Sequence, residues 1–115
     1  MKLVFVSGPF RGANQWEQMC NVREAETLAL EVWRMGAACI CPHTNTAHFQ
    51  GAAPDDVWLT GDLEILRRCD AVMVTPRWRQ SVGACMEVVR AEEYGMPIFS
   101  NLADLRAWLN SEAGA

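Results

Sequence analysis

Two carboxylates, Asp62 and Glu87, carry the chemistry this chain can do. They lie on two predicted helices flanking one apolar strand, Asp70 to Thr75. A parallel sheet built that way aims both acids at its carboxyl edge, where open α/β folds place their ligands. Two acids in one crevice can divide the roles of nucleophile and proton donor. Around Glu87, the run Ser81-Val82-Gly83-Ala84-Cys85-Met86-Glu87 follows a strand and a loop and opens a helix. Ser81 suits the N-cap, and the free N–H groups of that turn can hold an anion or a sugar hydroxyl. Gly83 stands one turn before Glu87, so the carboxylate tilts back over a position with no side chain, which leaves room for a substrate. The plainer reading makes Ser81 a simple cap and Glu87 an exposed acid paired with Arg90 at i+3.

A second loop shifts the balance towards chemistry. Ser7-Gly8-Pro9-Phe10-Arg11-Gly12 closes the first strand and sets a guanidinium between two glycines. In a doubly wound sheet it neighbours the loop before Ser81, and Arg11 can clamp a phosphate bidentately. Taken alone, it is an ordinary turn with a solvated arginine. Asp62 also suits a helix start, favoured by the dipole, and Asp70 reads as structural, at the mouth of its strand. Trp78, between Arg77 and Arg79, is placed to stack on a base, or else to pack against a neighbouring subunit or the domain's own edge. Cys39, Cys41, His43 and His48 offer soft and imidazole ligands, but their spacing matches no common zinc pattern, and Cys39 and Cys41 share one strand face as core residues. No metal and no cofactor is expected.

These residues need a scaffold, and the chain spells one out. Lys2 to Ser7 is a first strand ended by Gly8-Pro9. A helix follows with two possible starts, Asn14 with Glu17 or Asn21 with Glu24, and Gly36 ends it. Ala37 to Cys41 is a second strand, stopped by Pro42, and a loop without periodicity runs from His43 to about Pro54. Asp55 and Asp56 open a helix carrying Leu59, Leu63 and Leu66 inward, with Gly61 as a weak point. After the third strand, Ser81 caps a helix to Tyr94 and Gly95 closes it. Pro97 to Ser100 is a fourth strand, followed by a helix holding Leu102, Leu105, Trp108 and Leu109. Alternation of this kind specifies a parallel sheet with helices on both faces and right-handed crossovers.

Size and charge limit the function further. At 115 residues, half of them apolar, the chain reads as a single domain, residues 1–115, which extra burial at a subunit interface would help. A formal charge of −4 leaves no electrostatic footprint for a nucleic acid polymer. No apolar run approaches the roughly 18 residues of a membrane span, and no leader precedes the first strand, so a cytoplasmic location is expected. Five cysteines, an odd number without a Cys-x-x-Cys pair, read as reduced and mostly buried thiols.

In this order and at these spacings, the Ser-Gly-Pro-Phe-Arg-Gly loop, the Gly-Asp-Leu-Glu-Ile-Leu-Arg-Arg-Cys-Asp-Ala-Val segment and the Ser-Val-Gly-Ala-Cys-Met-Glu helix start resemble the nucleoside 2-deoxyribosyltransferase superfamily. Within it, the chain looks most like the small proteins of unassigned function grouped as DUF4406 and the 2′-deoxynucleoside 5′-phosphate N-hydrolases. The resemblance covers nearly the whole chain. It implies a flavodoxin-like (Rossmann-like) three-layer sandwich with a four- to five-stranded parallel sheet. It also implies cleavage of the N-glycosidic bond of a nucleoside or its 5′-monophosphate, by hydrolysis or deoxyribosyl transfer. Glu87 matches the nucleophile that attacks C1′, and Asp62 the acid that assists departure of the base. Ser81 and Gly83 match the residues holding the 5′ end of the sugar, Arg11 and Gly12 the phosphate side, and Ser7, Gly8 and Phe10 the rest of the first loop. Phe10 lacks the hydroxyl that this position often carries in the family. The resemblance further implies a homodimer or higher homo-oligomer. The competing reading is a catalytically silent nucleotide-binding or sensor module of the same fold.

Overall fold

The computed structural model describes residues 1–113. Four strands, β1 (Leu3–Ser7), β2 (Ala38–Ile40), β3 (Ala71–Val74) and β4 (Ile98–Phe99), form one sheet in the order β2-β1-β3-β4. Every pairing is parallel, with Val4 opposite Cys39 and Ala71 and with Val72 opposite Ile98. That is the flavodoxin-like order with four strands among the described residues, and its topological switch falls between β1 and β3. The expected strands are each present with ends shortened by a residue or so.

Alternation along the strands divides the core in two. Val4, Val6, Ala71 and Met73 face α1 (Gln15–Arg34) and α5 (Leu102–Ala113) through Ala25, Val32, Leu105 and Leu109. Phe5, Val72 and Val74 point the other way, against Leu66 of α3 (Asp55–Arg67) and Val88 and Ala91 of α4 (Val82–Glu93). The central strands are therefore apolar on both sides, as a sheet covered on both faces requires. Each fully buried side chain such as Phe5 or Leu66 contributes about 1.5–3 kcal/mol of transfer free energy.

Local signals set the helix ends. Asn14 is the N-cap of α1, its Oδ1 accepting from the Glu17 N–H at 2.9 Å. The alternative cap, Asn21, lies inside the helix and is buried. Gly36 and Gly95, which follow α1 and α4, take φ of 88° and 70°, a left-handed conformation that a side chain resists. Two expectations are corrected. Gly61 neither breaks nor restarts α3, which runs through it unbroken because Leu63 and Leu66 are held on the sheet. The segment after β2 is not loop from its start: Pro42–Asn45 forms a short helix, α2, with proline at its first position. Asp70 is structural as read, its carboxylate accepting the Leu3 N–H at 2.8 Å.

Candidate active site

A cavity of about 530 Å³ opens at the carboxyl edge of the sheet, over the switch point. The first loop supplies Gly8, Pro9, Phe10 and Arg11; the segment after β2 supplies Pro42, His43, Thr46 and Gln50. Helix α3 contributes Asp55, Trp58, Leu59 and Asp62, and the start of α4 contributes Ser81, Gly83 and Glu87. Its volume lies in the range that suits a small organic ligand.

Glu87 is the best-anchored group in the cavity. It is 5% exposed, and Ser7 at the end of β1 donates its hydroxyl to Glu87 Oε1 at 2.6 Å. That length belongs to an O–H donating to a charged carboxylate. The plainer reading of Glu87 as an exposed partner of Arg90 is set aside, since Arg90 approaches Glu93 instead. Burial pushes the Glu87 carboxyl up to about 7; the Ser7 hydroxyl pulls it down and the charge of Asp62 adds to the rise. Asp62 is pushed up to about 6 by burial alone. Both carboxyls are thus brought towards neutrality, mainly by burial. Ser7 favours the charge on Glu87.

Ser81 caps α4, its hydroxyl accepting from the Ala84 N–H at 3.1 Å. The N–H groups of Val82 and Gly83 precede the first possible intrahelical bond and stand at the cavity wall. The two site glycines differ in purpose. A Cβ on Gly8 would fall 2.1 Å from Thr75 Oγ1, whereas one on Gly83 would meet nothing nearer than Ser81 Oγ at 3.8 Å. Gly8→Ala should therefore cost about 1–3 kcal/mol of stability in urea unfolding. Gly83→Ala should leave stability within about 0.5 kcal/mol while narrowing the space beside Glu87.

The structure brings together Glu87, Asp62, Gly8, Phe10, Arg11, Ser81 and Gly83 on one wall-to-wall surface. Ser7 lies behind it, fully buried, holding Glu87. Gly12 lies outside the lining, where a Cβ would strike Glu17 Cβ at 2.4 Å, so it serves the tight entry to α1. Arg11 is paired with Asp55 across the cavity mouth, both groups well exposed. Trp78 packs against the core cluster on the α3 and α4 side of the sheet, with the Arg79 guanidinium over its ring at 4.6 Å, the edge-packing alternative.

Sequence reasoning missed four contributors. His43 is buried, donates Nε2–H to the Pro9 carbonyl at 2.8 Å and lies against the Phe10 ring. Burial lowers its pKa, so the ring is neutral and fixes the first loop. Trp58, one turn before Asp62 on α3, faces the cavity with an indole N–H that is buried and unpaired among the described residues. The i, i+4 spacing was the available signal. Asn21 and Arg77 form a clamp: the Asn21 amide donates to the carbonyls of Phe10 and Arg11 and accepts from Arg77 at 2.8 Å. The clamp ties the loop after β1 to the loop after β3.

Cys39 and Cys41 pack in the core, where burial pushes their thiols up to about 12 and about 11. No three His, Cys, Asp or Glu side chains gather as metal ligands among the described residues, and no helix there is long and apolar enough to cross a membrane.

The fold and the site together define a flavodoxin-like α/β protein with a carboxylate pair at its topological switch point. Residues 2–100 match a family described as a domain of unknown function (DUF4406), and the chain belongs to that family. No curated protein matches it. Among solved structures, a 2-deoxyribosyltransferase from Bacillus psychrosaccharolyticus, described as a biocatalyst for nucleoside synthesis, superposes with a TM-score of 0.61 at 18% identity, over 84% of this chain and 69% of that one.

Proposed function

We propose that the chain cleaves the N-glycosidic bond of a nucleoside or nucleoside 5′-monophosphate by a retaining double displacement. The observation that carries this reading is a buried, hydroxyl-anchored Glu87 that lines one cavity with Asp62. Glu87 attacks C1′ and the C1′–N bond breaks, its electron pair leaving with the base. Asp62 gives its proton to that base. Water, deprotonated by the Asp62 carboxylate, then displaces Glu87 from C1′; a second base in place of water gives transfer. Burial raises both carboxyls, and the Ser7 hydroxyl offsets part of that rise at Glu87. Phe10 and Trp58 supply apolar walls, and the Val82 and Gly83 N–H groups suit the sugar end.

The test is chromatographic detection of free base from ribo- and deoxyribonucleosides and their 5′-monophosphates, with and without an acceptor base. Release from any of these supports the reading. No release across the panel, with the same compounds still raising the melting temperature, would replace it by a silent nucleotide-binding module. One observation favours that second reading: Glu87 is pushed higher than Asp62, as suits a carboxyl that donates a hydrogen bond to a ligand. Arg11 gives a test of phosphate preference. Asp55→Asn releases it from its ion pair and should raise the preference for a 5′-monophosphate over its nucleoside about twofold to fivefold, read as a ratio of kcat/KM.

A further inference from the structure

The outer face of α1 carries a seam that no part of the described chain covers. Trp16, Met19, Arg23, Glu26, Leu30 and Trp33 follow one another in alternating steps of three and four residues. That is the spacing of a coiled-coil stripe, about 25 Å long on a helix of this length. All six are exposed, with Trp16 at 67%, Trp33 at 54% and Leu30 at 50%. The core side of the helix, through Asn21, Ala25 and Val32, is spent on the sheet.

The order of the six is symmetric about the peptide between Glu24 and Ala25. Lay the same helix antiparallel on itself across a two-fold axis at that point. Trp16 of one copy then meets Trp33 of the other, Met19 meets Leu30, and Arg23 meets Glu26, each pair occurring twice. An isologous interface demands this reciprocity, in which residue i faces j and j faces i. The charges are complementary as well: neither Arg23 nor Glu26 has an ion-pair partner among the described residues of its own chain. Apolar side chains at both ends with a charge pair at the centre give contact area and a fixed register together.

We propose that this face is a two-fold dimerisation surface whose occupant is a second copy of the chain, docked through antiparallel α1 helices. The arrangement is independent of what the cavity does. It brings the far end of the second copy's α1 beside Trp16, next to the first loop that carries Phe10 and Arg11.

Sedimentation equilibrium on the intact chain and three variants tests the proposal. The wild type should be a dimer. Arg23→Glu and Glu26→Arg each set like charges opposite one another at both central contacts and should weaken the dimer by about tenfold or more. The double exchange R23E/E26R restores opposite charges and should return the dimer to within a few-fold of wild type. Both sites are exposed on a long helix, so circular dichroism should be unchanged throughout. A monomeric wild type overturns the proposal, as do single reversals without effect or a double exchange that fails to rescue. A dimer indifferent to these changes but lost in Met86→Arg would place the interface on the exposed Val82, Met86 and Val89 face of α4 instead, which also overturns it.

Discussion

Glu87→Gln should lower base release by about 10³-fold or more while the substrate still binds, so that kcat falls and KM changes little. The amide keeps the shape of the carboxyl, and its oxygen can still accept from the Ser7 hydroxyl, so the wall of the cavity stays in place. What disappears is the negative charge that the proposed displacement requires. A nucleophile acts as part of a unit, so its loss removes most of the catalysis that Asp62 could contribute to the same step. The measurement is single-turnover release of base from the best substrate of the panel, with ligand binding to the variant followed separately. Turnover of the variant within tenfold of wild type would assign Glu87 a binding role and end the displacement mechanism.

The parts legible in the sequence are those fixed by short-range physics. Strand apolarity, the Asn14 and Ser81 caps and the glycines after α1 and α4 act within a few residues, and each element they predict is present. Alternation places Glu87 at the carboxyl edge because α4 starts there, but Asp62, expected at a helix start, is the eighth residue of α3 and reaches the same cavity from the middle of that helix. The remaining features depend on neighbours far apart in the chain. Asn21 has the composition of a cap but is used as a bridge, which only the arrival of Arg77 from the other loop makes possible. His43, whose spacing fits no metal pattern, has no readable role until the Pro9 carbonyl is placed against its ring. Gly8 and Gly12 read as phosphate-loop glycines, yet what they answer to is Thr75 and Glu17, packed where a Cβ would stand. Trp58 belonged to no motif, and its orphaned indole N–H emerges only with the cavity around it.

The variant that loses activity should gain stability. Folding moves the Glu87 carboxyl from its ordinary value of 4.5 up to about 7, chiefly by burial. Between those values the folded chain holds a proton that the unfolded chain has released. Stability therefore falls as pH rises from about 4.5 to about 7, and above that range the folded state carries the full cost of a buried charge. A glutamine cannot ionise and escapes that cost. At pH 8, Glu87→Gln should be more stable than wild type by about 2–3 kcal/mol, less than the whole shift because the amide is itself a buried polar group. In a domain of this size that corresponds to a melting temperature higher by about 8–12 °C. Near pH 4.5, where both folded forms are neutral at this position, the two should melt within a degree or two of each other. Thermal unfolding of both proteins across that range measures the difference directly. A variant that melts below wild type at pH 8 would mean that Ser7 and the cavity already compensate the charge of Glu87. A gain that grows with pH would mark a site that gives up stability to hold its nucleophile out of water, the usual relation between a working residue and the fold that carries it.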